Sequence, residues 1–104
     1  MKKNVTMYDG VARYVTLSDG VAQLKIEVNS KAIMMTDGQE VNKPQSTPMN
    51  ALLELPLYGK ALTAAIAREI SVMKIGHRLS LTVTEYGNGR KNYDICNISM
   101  CNCL

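Results

Sequence analysis

The sequence predicts a small all-β domain with one helix, and three observations carry that expectation. Residues 21–29 and 79–84 alternate apolar and polar side chains, the pattern of strands with one buried and one wet face. Asp-Gly and Gly-Asn-Gly steps recur at Asp9-Gly10, Asp19-Gly20, Asp37-Gly38 and Gly87-Asn88-Gly89, and such steps supply the positive φ angles of tight turns. A helical stripe occurs in one place, residues 59–73, through Leu62, Ile66, Ile70 and Met73.

Taken in order, "VARYVTLS" at residues 11–18 is rich in β-branched and aromatic side chains and reads as a strand. In residues 21–29, Ala22, Leu24, Ile26 and Val28 form the inward row of a second strand. A short strand is expected at residues 31–36 around Ile33, Met34 and Met35. Residues 37–48 are polar, hold two prolines and lack periodicity, so they read as a long mobile loop or an extended hairpin tip. A strand resumes over 51–57, with Pro56 pointing to an edge or a bulge near its end. After the helix, "KIGHR" at 74–78 stops it with Gly76 and cations suited to a helix C-terminus. Leu79, Leu81 and Val83 then face inward, and a hairpin at 87–90 returns the chain through Tyr93, Ile95, Ile98 and Met100. The alternation slips at Cys96-Asn97, which predicts a β-bulge. The resulting order is strand, strand, strand, helix, strand, strand. Five strands with the helix between strands 3 and 4 is the order of the five-stranded OB-fold barrel, with a split sheet and one packed helix as the other architecture.

The bulk numbers bound the rest. A chain of 104 residues makes one domain, 1–104, with a single modest core. The net charge of +3, from 12 basic and 9 acidic residues, permits a polyanion partner without demanding one. Aromatics are five tyrosines with no tryptophan or phenylalanine, so every aromatic carries a hydroxyl suited to a half-exposed position. No apolar run approaches the roughly 20 residues of a membrane span, and no apolar stretch follows Lys2 and Lys3 as in a secretory signal. The expectation is a cytoplasmic protein that does not engage membranes.

Several stretches resemble the single-stranded DNA-binding protein (SSB) family. "NVTMYDG" at 4–10 is similar to the family's opening strand, and "DGVAQLKIEVNS" at 19–30 to its second strand. "LYGKALTAAIAREISVMKIGHRLSLTV" at 57–83 is similar to its aromatic-Gly-Lys joint, helix, Lys-Gly turn and fourth strand. "TEYGNGRKNYDICNISM" at 84–100 has the length and rhythm of its closing hairpin. The resemblance covers about residues 4–100 and is to a short form, without the tryptophans and the acidic-tipped tail common in the family. It implies an OB-fold that binds single-stranded DNA with little sequence preference, in replication, recombination or repair.

Single-strand binding needs flat side chains for stacking and cations that follow the phosphates. Tyr58 matches the family's aromatic before Gly-Lys and is the first stacking candidate, with Lys60 as its phosphate contact; the other reading of Tyr58 is a seal over the strand–helix joint. Tyr86 lies on the wet side of its strand beside Arg90 and Lys91 at the hairpin, which otherwise read as an ordinary solvated tip. Tyr14 with Arg13, and Lys25 on the wet face of the second strand, form a similar set. Tyr8 and Tyr93 read as packing residues.

No catalytic constellation is legible. Asp9, Asp19 and Asp37 precede glycines in turns, and Glu27, Glu54, Glu69 and Glu85 show no clustering. His77, the one histidine, reads as a helix-terminus or phosphate contact. Cys96, Cys101 and Cys103 read as reduced thiols; a soft metal would need a fourth ligand such as His77 or one from another chain, and the usual zinc pattern of two spaced pairs is missing. No cofactor is expected. The sequence therefore points to a non-enzymatic single-stranded DNA (or RNA) binder. A short groove and open strand edges predict a homodimer or homotetramer. The alternative is an OB-type protein-interaction module that does not touch nucleic acid.

Overall fold

The computed structural model describes residues 2–100. It is built from six antiparallel strands and one α-helix: β1 (Lys3–Ser18), β2 (Val21–Thr36), β3 (Gln39–Glu40), β4 (Ser46–Tyr58), α1 (Ala64–Ser71), β5 (Arg78–Tyr86) and β6 (Lys91–Asn97). The five long strands lie in the order β4-β2-β1-β5-β6, and β3 adds briefly to β2. The sheet curls into a half-barrel whose two outer strands are β4 and β6.

The curl starts in the two 16-residue strands β1 and β2. Their register slips between Val5 and Thr6, Asp9 and Gly10, and Ala12 and Tyr14. An extra residue on one strand bends it and raises its twist, so these slips fold a long ribbon over a core. The second of them falls at Asp9-Gly10, where a turn was expected. β1 instead runs straight through that step. Gly10 is there because a Cβ would collide with the Glu27 carbonyl oxygen and lie 2.7 Å from Ile26 Cγ2; its purpose is close strand approach, not a positive φ. The separate strand expected at 31–36 is likewise the continuation of β2.

The polar stretch at 37–48 contains the Asp37-Gly38 turn, β3, and the start of β4. Ser46, Thr47 and Pro48 already pair with β2. Polarity hid this strand because its early residues are exposed on both faces.

The helix is shorter than its apolar stripe. Tyr58 is extended, Gly59 turns the chain at φ +58°, and a 3₁₀ turn follows over Gly59–Ala61. Thr63 then takes the extended N-cap position, its hydroxyl accepting from the Ile66 N–H at 3.2 Å, and α1 runs to Ser71. The helix also ends before Gly76. That glycine (φ +94°) belongs to the following turn, where its N–H donates to the Ala12 carbonyl at 2.8 Å and the Ala12 N–H donates to the His77 carbonyl at 2.9 Å. This pair of bonds straps the turn to β1.

Ile66, Ile70 and Met73 close the core formed by Ala12, Leu24, Ile26, Leu57, Leu79 and Leu81. No bulge occurs at Cys96-Asn97, since β5 and β6 pair without interruption from Glu85↔Lys91 to Leu79↔Asn97. A buried asparagine simply takes the inward position that an apolar residue was expected to fill. Asn97 is held by its backbone N–H to Glu69 Oε2 (3.0 Å) and by its side-chain amide beside His77 Nδ1 (3.3 Å), while its Oδ1 has no protein partner.

Candidate nucleic-acid interface

Strand alternation decides which side chains reach the surface beside one another. On β5, Leu79, Leu81 and Val83 face inward, so Tyr86 shares the outer face with its cross-strand neighbour Lys3. On β6 the inward row is Lys91, Tyr93, Ile95 and Asn97, opposite Glu85, Val83, Leu81 and Leu79. On the other side of the half-barrel, Tyr14 pairs with Lys25 and Lys25 with Glu54, giving one outward row across β1, β2 and β4. Tyr58 ends the outward row of β4 and is 65% exposed.

Three clefts join these residues. The largest, about 480 Å³, lies between the 3₁₀ turn and the free edge of β6, and is lined by Lys60, Thr63, Arg90, Lys91, Asn92 and Tyr93. A second, about 330 Å³, occupies the seam between β4 and β6; Tyr8, Pro56, Tyr58, Lys91 and Tyr93 line it. A third, about 160 Å³, lies over Tyr14, Gln23, Lys25, Glu54 and Pro56. The first and second share Lys91 and Tyr93, and the second and third share Glu54, Leu55 and Pro56. Through these shared walls the clefts adjoin one another as a broken channel across the open seam.

Of the eight residues singled out from sequence, Tyr58, Lys60, Arg90, Lys91, Tyr14 and Lys25 line this channel. Tyr86 reaches it through Arg90, whose guanidinium carbon sits 5.7 Å from the Tyr86 ring centre. The Tyr86 hydroxyl also accepts from the Asn92 side-chain amide at 3.3 Å. Lys25 Nζ stands 5.7 Å from the Tyr14 ring centre, a cation–π distance. Arg13 lines none of the three clefts. It is the extra residue at the Ala12/Tyr14 register slip, and its guanidinium is ion-paired to Glu27, with Nε donating to Oε2 at 2.6 Å.

Electrostatically the channel has two unequal ends. Lys60, Arg90 and Lys91 make no ion pair among the described residues, whereas Lys25 Nζ lies 3.4 Å from Glu54 Oε1. At the first end the three cations are free of ion pairs among the described residues, with Glu85 opposite Lys91 on β5 the one carboxylate directly across from them. At the second, an anion meets a cation that already has a partner.

Sequence reasoning missed Tyr93, Tyr8, Asn92 and Glu54 as lining residues. Tyr8 and Tyr93 do pack against the core as expected, yet both also line the seam. Counting by twos from Ile95 would have put Tyr93 and Lys91 on the same face. Nothing local could have placed Glu54 beside Lys25, because that contact depends on the β2–β4 register. His77 serves the turn: its Nδ1 accepts from the Lys74 N–H at 3.1 Å as well as standing beside Asn97.

Among the described residues no three His, Cys, Asp or Glu side chains converge as a metal site would require. Cys96 is exposed, and Cys101 and Cys103 lie outside the described residues. No described helix is long and apolar enough to cross a membrane. Comparison of the chain with protein-family models, with curated proteins and with solved structures finds no match in any of the three.

Proposed function

We propose that this protein is a non-enzymatic, OB-type single-stranded nucleic-acid-binding protein that holds DNA with little sequence preference. The observation that carries the proposal is the channel itself: tyrosines at Tyr14, Tyr58, Tyr93 and Tyr8 interleaved with Lys25, Lys60, Arg90 and Lys91. Rings offer stacking surfaces to any base, and cations beside them follow the backbone, so affinity needs no base-edge code. The strand path supports the OB reading. With two-residue β3 set aside, the neighbours run third, second, first, fourth, fifth, and the third and fifth face each other across the seam. OB barrels bind oligonucleotides on the face of their second and third strands and between flanking loops. Here those strands carry Lys25, Glu54 and Tyr58, and the flanking hairpin carries Arg90.

A role in replication, recombination or repair, in a cell, a plasmid or a phage, follows from the SSB resemblance. A homodimer or homotetramer fits the free edges of β4 and β6. Those edges also favour a second reading, an interaction module in which an extended peptide adds a strand beside Lys60 and Lys91.

Tyrosine emission distinguishes the two readings. Titration with poly(dT) should quench it saturably, more weakly as salt rises, and duplex DNA should quench it far less. Poly(U) under the same conditions reports the preference for deoxyribose or ribose. Absence of any binding to poly(dT) at low salt overturns the nucleic-acid reading in favour of peptide docking.

A further inference from the structure

We infer that Glu54 is an electrostatic gate in this channel, separating a segment that any single strand occupies from one that only a long strand opens. The inference rests on the single-strand reading above. Glu54 is the one carboxylate among the described residues that line the three clefts, and it stands on the wall shared by the seam and the cleft over Tyr14.

Its position follows from register. Tyr14↔Lys25 and Lys25↔Glu54 set three outward side chains in a row across β1, β2 and β4. Lys25 touches both neighbours, the Tyr14 ring at 5.7 Å and Glu54 Oε1 at 3.4 Å. A short strand held in the first cleft by Lys60, Arg90 and Lys91 meets no carboxylate there, and Glu54 enters only where the seam begins, beside Tyr58. To continue to Tyr14, its next phosphate must pass the Glu54 carboxylate and take Lys25 from it.

Displacement is feasible because the pair is exposed, with side chains 45% and 66% accessible, and exposed ion pairs are weak and screened by salt. Glu54 also lies on an outer strand, free to turn its carboxylate to water. The gate thus delays occupation of the Tyr14 segment until the strand is already anchored, when the second contact is intramolecular. Short and long strands are held by different sets of residues.

The test uses Glu54→Gln, which keeps the shape and removes the charge, with dT oligomers of about 4 and about 16 nucleotides, the two ends of the range seen for single OB folds. The substitution is expected to tighten the longer oligomer several-fold, steepen its salt dependence by up to about 0.7 in log–log slope, the increment for one phosphate on a single strand, and leave the shorter oligomer unchanged. Lys25→Gln should weaken the longer oligomer alone. Equal effects of Glu54→Gln on both lengths, or no effect on either, overturn the gate. Should the unaltered protein bind neither oligomer nor poly(dT), the single-strand reading itself falls and the gate with it; should it bind both while Glu54→Gln fails to separate them, only the gate falls. Thermal melting of both variants checks the fold, and these exposed positions should leave it unchanged.

Discussion

The two ends of the channel are built from the same residue types and differ in how their cations are paired. At the β5–β6 hairpin and the 3₁₀ turn, Tyr93 stands beside Lys60, Arg90 and Lys91; among the described residues no carboxylate lines that cleft and none of the three cations is ion-paired, though Glu85 lies opposite Lys91 on β5. Across β1, β2 and β4, Tyr14 stands beside Lys25, but Glu54 and Glu27 neutralise Lys25 and Arg13. A tyrosine followed by a cation is thus an incomplete description of a phosphate site. What matters is whether the residue on the next strand closes an ion pair: Glu54 does so with Lys25, and Glu85, opposite Lys91, does not.

The largest expected effect tests whether the two ends belong to one cooperative unit. Gly10→Val forces a side chain against the Glu27 carbonyl and Ile26, and overpacking of this kind costs about 3 kcal/mol. Urea unfolding followed by circular dichroism should show a single transition at a lower midpoint. A second transition would mean that the β1–β2–β4 face unfolds separately and that the ends are energetically independent.

Tyr58→Ala comes next. It removes the exposed ring where the ends meet, and loss of a stacked base is expected to weaken poly(dT) binding by about 2 kcal/mol, roughly 30-fold. Stability should change by less than about 0.5 kcal/mol, since the residue is on the surface. A large fall in melting temperature with little loss of binding would return Tyr58 to the role of a seal over the strand–helix joint.

Thr63→Ala sharpens the role of local structure at the cation-rich end. The hydroxyl caps α1 by accepting from Ile66 N–H, and loss of such a cap costs about 1 kcal/mol. Denaturant midpoints measure it. An unchanged midpoint would show that the core contacts of Ile66 and Ile70 hold the helix without the cap.

The smallest effects separate the ends most directly. Lys60→Ala and Lys91→Ala should each reduce the slope of log affinity against log salt by about 0.7. Arg13→Ala, already paired with Glu27 and outside the clefts, should leave the slope where it was. An equal drop for Arg13 would mean that its ion pair opens to phosphate and that the two ends differ less than their geometry suggests.

Much of the fold was legible in the sequence. The alternations at 21–29 and 79–84 located the cores of β2 and β5, and the hairpin at Gly87–Arg90 was read from its glycines. Turn chemistry misled at Asp9-Gly10, because the same dipeptide that makes a turn also permits a close strand crossing. The helical stripe overran α1 because Leu62 precedes the Thr63 cap and Met73 follows the helical residues while still reaching the core. At Cys96-Asn97 a buried polar residue breaks the apolar alternation just as a bulge would, and sequence alone does not distinguish the two. For the candidate site, the residue types were legible and their neighbours were not.

The sequence by itself determined the periodicities, the tight turns at Asp19-Gly20 and Asp37-Gly38 with positive φ at both residues, and the supply of tyrosines and cations, since each depends on residues adjacent in the chain. Tertiary structure alone decided that β4 and β6 leave a seam between them, that Lys91 and Tyr93 line it with Tyr58, and that Glu54 stands beside Lys25. Those contacts join residues far apart in the chain. They are set by the register slips that curl β1 and β2 over the core, and a slip of one residue would turn each of these side chains to the other face.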